Sequence, residues 1–88
     1  MIPQQLIGQT VVVNTDSPYL FTGTLVGEDA ETLVIDEVDV RDQRAQKALE
    51  DVYLLETLEL GVRANRRRVH VLRSRVVSIS LLADVVKY

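Results

Sequence analysis

GTLVGEDAETLVI (Gly23 to Ile35) and VHVLRSRVVSISL (Val69 to Leu81) are each two apolar runs joined by a polar break. Runs of this length, rich in Val, Ile, Leu and Thr, read as paired strands, so each stretch is part of a β-hairpin. Upstream, the β-branched TVVVNT of Thr10 to Thr15 reads as a first strand, and Asp16-Ser17-Pro18 as a turn. Tyr19 to Gly27 is then a second strand, Thr32 to Val40 a third, Arg68 to Leu72 a fourth and Val76 to Leu82 a fifth. Gly23 inside the second strand marks a bulge or a sharp bend, as barrel corners require. In the third strand Leu33 and Ile35 share a face, and the alternation then shifts to Val38 and Val40. Tyr19 and Phe21, at period two, read as a core face. Pro3 to Ile7 reads as a short helical turn before Gly8, and Asp84 to Tyr88 as a short tail.

Between the third and fourth strands the period changes. Ala45, Ala48, Leu49, Val52, Leu55 and Glu59 follow helical spacing in a segment rich in helix formers. Asp42 can cap its start and Gly61 can end it. A helix is predicted over about residues 42–55, and Thr57 to Leu60, which also alternates with period two, could continue it or turn to strand. The chain is thus a single domain, residues 1–88, with a helical insertion around 42–60 in a strongly bent antiparallel sheet or small barrel.

Eighty-eight residues bury only roughly 60–65% of their unfolded surface, and with no cysteine there is no disulfide to compensate. Such small domains often gain stability by self-association. The net charge of −3 hides an asymmetry. Residues 28–59 carry eleven acids against Arg41, Arg44 and Lys47, a net of −8; residues 60–88 carry seven bases against Asp84, a net of +6. This means either solvated faces and neighbouring subunits pairing acid with base, or a basic surface for phosphate. No run reaches the ~18 apolar residues of a membrane span. The sequence MIPQQLIGQ lacks the pattern of a signal peptide. A cytoplasmic protein with no membrane partner is expected.

Enzyme chemistry finds no foothold. The one histidine, His70, lies between two valines and faces away from them in an alternating strand. Ser74, Ser78 and Ser80 are near it in sequence but not at a spacing that indicates a triad. The acids Asp36, Glu37, Asp39 and Asp42 have no metal-loop spacing, and no glycine loop could cradle phosphate. A non-catalytic protein without metal or cofactor is expected. The basic cluster Arg66, Arg67 and Arg68 lacks the interleaved aromatics of a stacking surface.

The two opening stretches resemble the paired motifs of the Sm, Sm-like and bacterial Hfq superfamily. The first motif corresponds to Gly23-Thr24-Leu25-Val26-Gly27-Glu28-Asp29 followed by Leu33-Val34-Ile35. The second corresponds to Val71-Leu72-Arg73-Ser74-Arg75-Val76-Val77-Ser78-Ile79. The resemblance covers the chain apart from the 41–62 insertion and the extreme ends. It implies an Sm-like (SH3-like) five-stranded small barrel with a short N-terminal helix. It also implies a homo-oligomeric ring in which the fourth strand of one subunit pairs with the fifth of the next. The interface would then draw on Val69, Val71, Leu72, Val76, Val77 and Ile79.

The same resemblance implies where RNA would bind. Thr32 stands nearest the family's base-reading Asn, Ala30 or Glu31 nearest its stacking side chain, Arg73 matches its basic residue and Ser74 replaces a common Gly. The turn is one residue shorter than usual. RNA contact would then fall to Thr32, Arg73 and Ser74, with Arg66, Arg67 and Arg68 beside them. Neither Ala nor Glu supplies the ~1–3 kcal/mol of aromatic stacking per base. Two functions follow: a ring that serves as an assembly or scaffold module, or one that binds RNA weakly through Arg73 and the Arg66–Arg68 cluster. For Arg73 a salt bridge across a subunit interface is the alternative to RNA.

Overall fold

The computed structural model describes residues 2–44 and 50–86. β-Branched residues form β1 (Thr10–Thr15), and the polar turn after it reverses the chain into β2 (Tyr19–Glu28). The turn is held by side chains: the Ser17 and Tyr19 amides donate to Thr15 Oγ1 and Ser17 Oγ, each at 3.2 Å. β3 (Thr32–Asp42), α1 (Glu50–Leu60), β4 (Arg66–Leu72) and β5 (Val76–Leu81) follow. Single 3₁₀ turns lie at Gln4–Leu6, between β4 and β5, and at Leu82–Asp84. All pairings are antiparallel, in the order β4-β3-β2-β1-β5. The fold is mainly β: one five-stranded, strongly bent sheet with a helix between its third and fourth strands.

The bend is made where β2 meets β3. Thr22 pairs with Asp39 and Thr24 with Asp36, so Gly23 alone opposes both Glu37 and Val38. This is a β-bulge, and Glu37 adopts the left-handed φ of 50° that such an extra residue takes. The bulge also explains the shifted alternation: Leu33, Ile35 and Val38 are all buried. Gly23 is required by space. A Cβ there would stand 2.7 Å from the Asp36 carbonyl oxygen and 2.9 Å from Ile35 Cγ2.

The curled sheet encloses Val11, Val13, Leu25, Leu33, Ile35, Val38 and Val71. Its outer face carries a second cluster, in which Val12 and Leu20 lie beneath Tyr53 and Leu54 of α1 and Leu82. The strand reading therefore holds to within two residues at each end. Tyr19 is a correction. It is exposed, while Phe21 packs on the inner core, and its neighbours Leu20 and Thr22 are fully buried.

The helix differs more. Residues 42–44 are not helical: Asp42 ends β3 opposite Tyr19, and its Oδ1 accepts from the Arg44 amide in a turn. Ala45, Ala48 and Leu49 lie outside the described residues. α1 buries Tyr53, Leu54 and Thr57 and leaves Val52 47% exposed. Its last turn stays helical, with the Thr57 hydroxyl donating to the Tyr53 carbonyl at 2.9 Å. Gly61 ends it at φ 90°, donating its amide to the Thr57 carbonyl at 2.8 Å.

Gly23→Ala is expected to lower unfolding free energy in urea by about 1–3 kcal/mol, the cost of overpacking a site that cannot open. An unchanged denaturation midpoint would show that β2 and β3 can part there.

Candidate functional site

The turn from β2 to β3 is built around Asp29. Its Oδ1 accepts from the amides of Glu31 (2.9 Å) and Thr32 (2.7 Å), and its Oδ2 from the Thr32 hydroxyl (2.9 Å). The Asp29 amide in turn donates to the Thr32 carbonyl at 2.9 Å. Carboxylate-to-amide bonds of this kind stabilise the ionised form, led here by the Glu31 amide, so the Asp29 pKa is lowered.

The second opening stretch meets this turn. Arg73, in the 3₁₀ turn between β4 and β5, donates its amide to the Glu31 carbonyl at 2.8 Å. Its guanidinium donates to the Asp29 carbonyl at 3.0 Å and reaches Ala30 O at 3.4 Å. The other guanidinium nitrogen lies 3.5 Å from Glu28 Oε1. Glu28 Oε2 accepts from the Ile2 amide at 3.0 Å, which ties the N-terminal segment to the same point. Beside this clamp lies a shallow pocket of about 140 Å³ lined by Ile2, Leu33, Arg73, Val76 and Ile79.

Thr32 and Arg73, far apart in sequence, are therefore brought to one turn, with Ser74 exposed next to Arg73. Thr32 gives its hydroxyl to Asp29 and has His70 Nδ1 at 3.5 Å on its other side. The ion pair of Arg73 is formed within its own chain, with Glu28.

The basic cluster divides. Arg68 faces Asp36 across the β3–β4 ladder and holds it with two bonds, at 2.6 and 3.0 Å. The guanidinium lowers the Asp36 pKa, and the carboxylate raises that of Arg68. The Arg66 guanidinium donates to the Asn65 carbonyl at 2.8 Å. Arg67 is exposed at the same end of β4.

The edge residues divide as well. β4 and β5 are the two ends of the sheet order. Val71 is buried in the inner core of its own chain, and Val69, Val76 and Ile79 pack partly against it. Leu72 and Val77 point outward, 53% and 70% exposed. Val77 is also where the β1–β5 register shifts, between Asn14–Ser78 and Thr15–Val76.

Three structural residues give no plain signal in the sequence. Glu28 is the counter-ion of Arg73. Asn65 clips the end of β3: its side chain accepts from the Val40 amide and donates to the Val40 carbonyl, both at 3.0 Å. Tyr53 is pinned beneath Arg41, whose guanidinium lies 4.1 Å from the ring centre, and its hydroxyl donates to Asp39. Burial and then that bond raise the Tyr53 pKa.

The chain matches the structure of an Sm protein from Pyrococcus abyssii in complex with a uridine heptamer. The TM-score is 0.58, with 16% identity, and the match covers 88% of this chain and 87% of that one. The chain has the Sm-like fold. The same Sm-like architecture matches a chain in the structure of the NatC complex bound to CoA, with TM-score 0.59 and 21% identity over 92% of this chain and 86% of that one. A chain of the NatC complex bound to Gag peptide and CoA gives TM-score 0.56 and 23% identity, covering 88% and 86%. No family model and no curated protein matches the sequence. Among the described residues, no helix is long and apolar enough to cross a membrane.

Because the Asp29 pKa is lowered, the stability it contributes is present above the ordinary carboxylate pKa and is lost as pH falls through the lowered value. Asp29→Asn is expected to melt below wild type at neutral pH, with the gap closing as pH falls through and below the ordinary carboxylate range. A gap that does not change with pH would remove the ionised Asp29 from this role.

Proposed function

We propose that this chain is a self-assembling scaffold: an Sm-like homo-oligomeric ring built by adding β4 of one subunit to β5 of the next. The observation that carries the reading is the sheet order, which leaves β4 and β5 as open edges bearing exposed Leu72 and Val77. An unpaired apolar edge is a template for another strand, and a small domain without disulfides gains most from covering it. Leu72 and Val77 supply side chains to this interface, and Val69, Val71, Val76 and Ile79 supply backbone while their side chains face inward. The role is one of assembly rather than catalysis.

The engagement of Arg73 supports a scaffold over an RNA reader. Its guanidinium is directed at two carbonyls and a carboxylate of its own chain. Asp29 and Glu31 add negative charge to the same turn, which disfavours phosphate, and the turn has no aromatic side chain for stacking. The second reading, weak RNA binding, is favoured by the fold shared with the uridine-heptamer complex and by the exposed Arg66 and Arg67.

Native mass measurement of the full chain, purified without nuclease, is expected to give a homo-oligomer free of nucleic acid. It is also expected not to shift labelled oligo(U) or oligo(A) at low salt, where phosphate contacts are strongest. A stable monomer would overturn the ring. Bound oligonucleotide whose affinity falls steeply with salt and is lost on Arg73→Glu would replace the scaffold reading with the RNA one.

A further inference from the structure

The end of β5 and the start of β4 carry charges of opposite sign. At the end of β5, Asp51 of α1 and Asp84 of the last 3₁₀ turn line a groove of about 300 Å³ together with Leu54, Ser80 and Leu81. Both acids are exposed, and neither has an ion pair among the described residues. At the start of β4, the Arg66 guanidinium donates to the neighbouring Asn65 carbonyl and has no ion pair among the described residues.

The faces of the strands decide what these charges can meet. Val69 and Val71 of β4 point into the inner core, so Arg66, Arg68 and His70 share the outer face. On β5, Ser80 pairs with Val12, which packs beneath α1, so Ser78 and Ser80 lie on that same outer face. A second copy adding its β4 to this β5 must keep the two faces continuous, because a one-residue slip would turn Val69 and Val71 out of register with Ile79 and Leu81.

Direction then follows from charge. A parallel addition would bring Arg66 to Val76, beside Arg73 and Arg75, where the nearby acids Glu28 and Asp16 are already engaged by those two arginines. An antiparallel addition with full overlap sets Arg68 opposite Ser80 and Arg66 opposite Leu82, at the rim where Asp51 and Asp84 stand. We propose that Asp51 and Asp84 of one subunit receive Arg66 of the next, an acid–base latch that fixes the direction of strand addition. This rests on the ring reading above and specifies its interface. In this arrangement α1 of the insertion carries Asp51 to the edge that the neighbouring β4 must find. Such pairs act mainly on orientation and on rejection of wrong pairings.

The test uses the full chain, with light scattering and native mass measurement over a concentration series. Asp51→Lys with Asp84→Lys, and separately Arg66→Glu, are each expected to weaken subunit association about 3–10-fold. Combining the three is expected to restore most of it. Raising salt from about 0.1 to 1 M is expected to weaken the wild type more than either variant. The combined variant keeps the test decisive if one partial variant folds poorly. Wild-type assembly unaffected by the reversals would remove the latch and leave the ring. A monomeric wild type would remove both. Arg66→Glu that spares assembly but abolishes an oligonucleotide shift would reassign Arg66 to nucleic acid.

Discussion

Between Thr22 and Thr24 the backbone of β2 approaches β3 so closely that no side chain fits at Gly23. There β3 spends two residues, Glu37 and Val38, against that single glycine, and the extra residue turns the sheet. Strands of ten and eleven residues would otherwise form a broad open ribbon. Bent at this point, they curl around Leu25, Leu33, Ile35 and Val38, and the flanking strands close on the same core through Val11, Val13 and Val71. The curl also brings the turn after β2 to the turn after β4, which is why Arg73 can grip the carbonyls of Asp29 and Ala30.

The outer face of the sheet would be apolar and wet without α1. Val12 and Leu20 are fully covered there by Tyr53, Leu54 and Leu82. The insertion is therefore part of the fold rather than an ornament on it. It covers the back of β1 and β2 and leaves both edge strands open. The polar chemistry is organised in the same economical way. Most arginines that could have met a ligand are already matched: Arg68 by Asp36, Arg73 by Glu28 and Arg75 by Asp16. Among the described residues, Arg66 and Arg67, at the start of an edge strand, have no ion pair.

Much of the barrel was legible because β alternation is a strong local signal. Leu33 and Ile35 followed by Val38 recorded the bulge, and Gly23 recorded the bend. The helix was legible in kind but not in place. Asp42 has the chemistry of a helix cap, yet pairing with Tyr19 draws it into β3, so the helix starts later. Its buried face was misjudged because no local pattern says which sheet surface it will cover. Tyr53 wins the inward position over Val52 by bonding Asp39 and lying under Arg41. At the candidate site, motif order foretold that Thr32 and Arg73 would converge. It did not foretell that Glu28 and two carbonyls would take up the guanidinium, since such partners are defined only by the folded turn. Asp51 and Asp84 come together from distant segments, and spacing could not have joined them.

A ring of this chain requires β4 and β5 to cover one another between copies. Amide hydrogen exchange, measured on the full chain across a wide range of protein concentration, tests it at the strands themselves. Protection of residues 66–72 and 76–81 is expected to rise with concentration while β2 and β3, paired on both sides, stay protected throughout. Exchange at both edge strands that is fast and independent of concentration would contradict it.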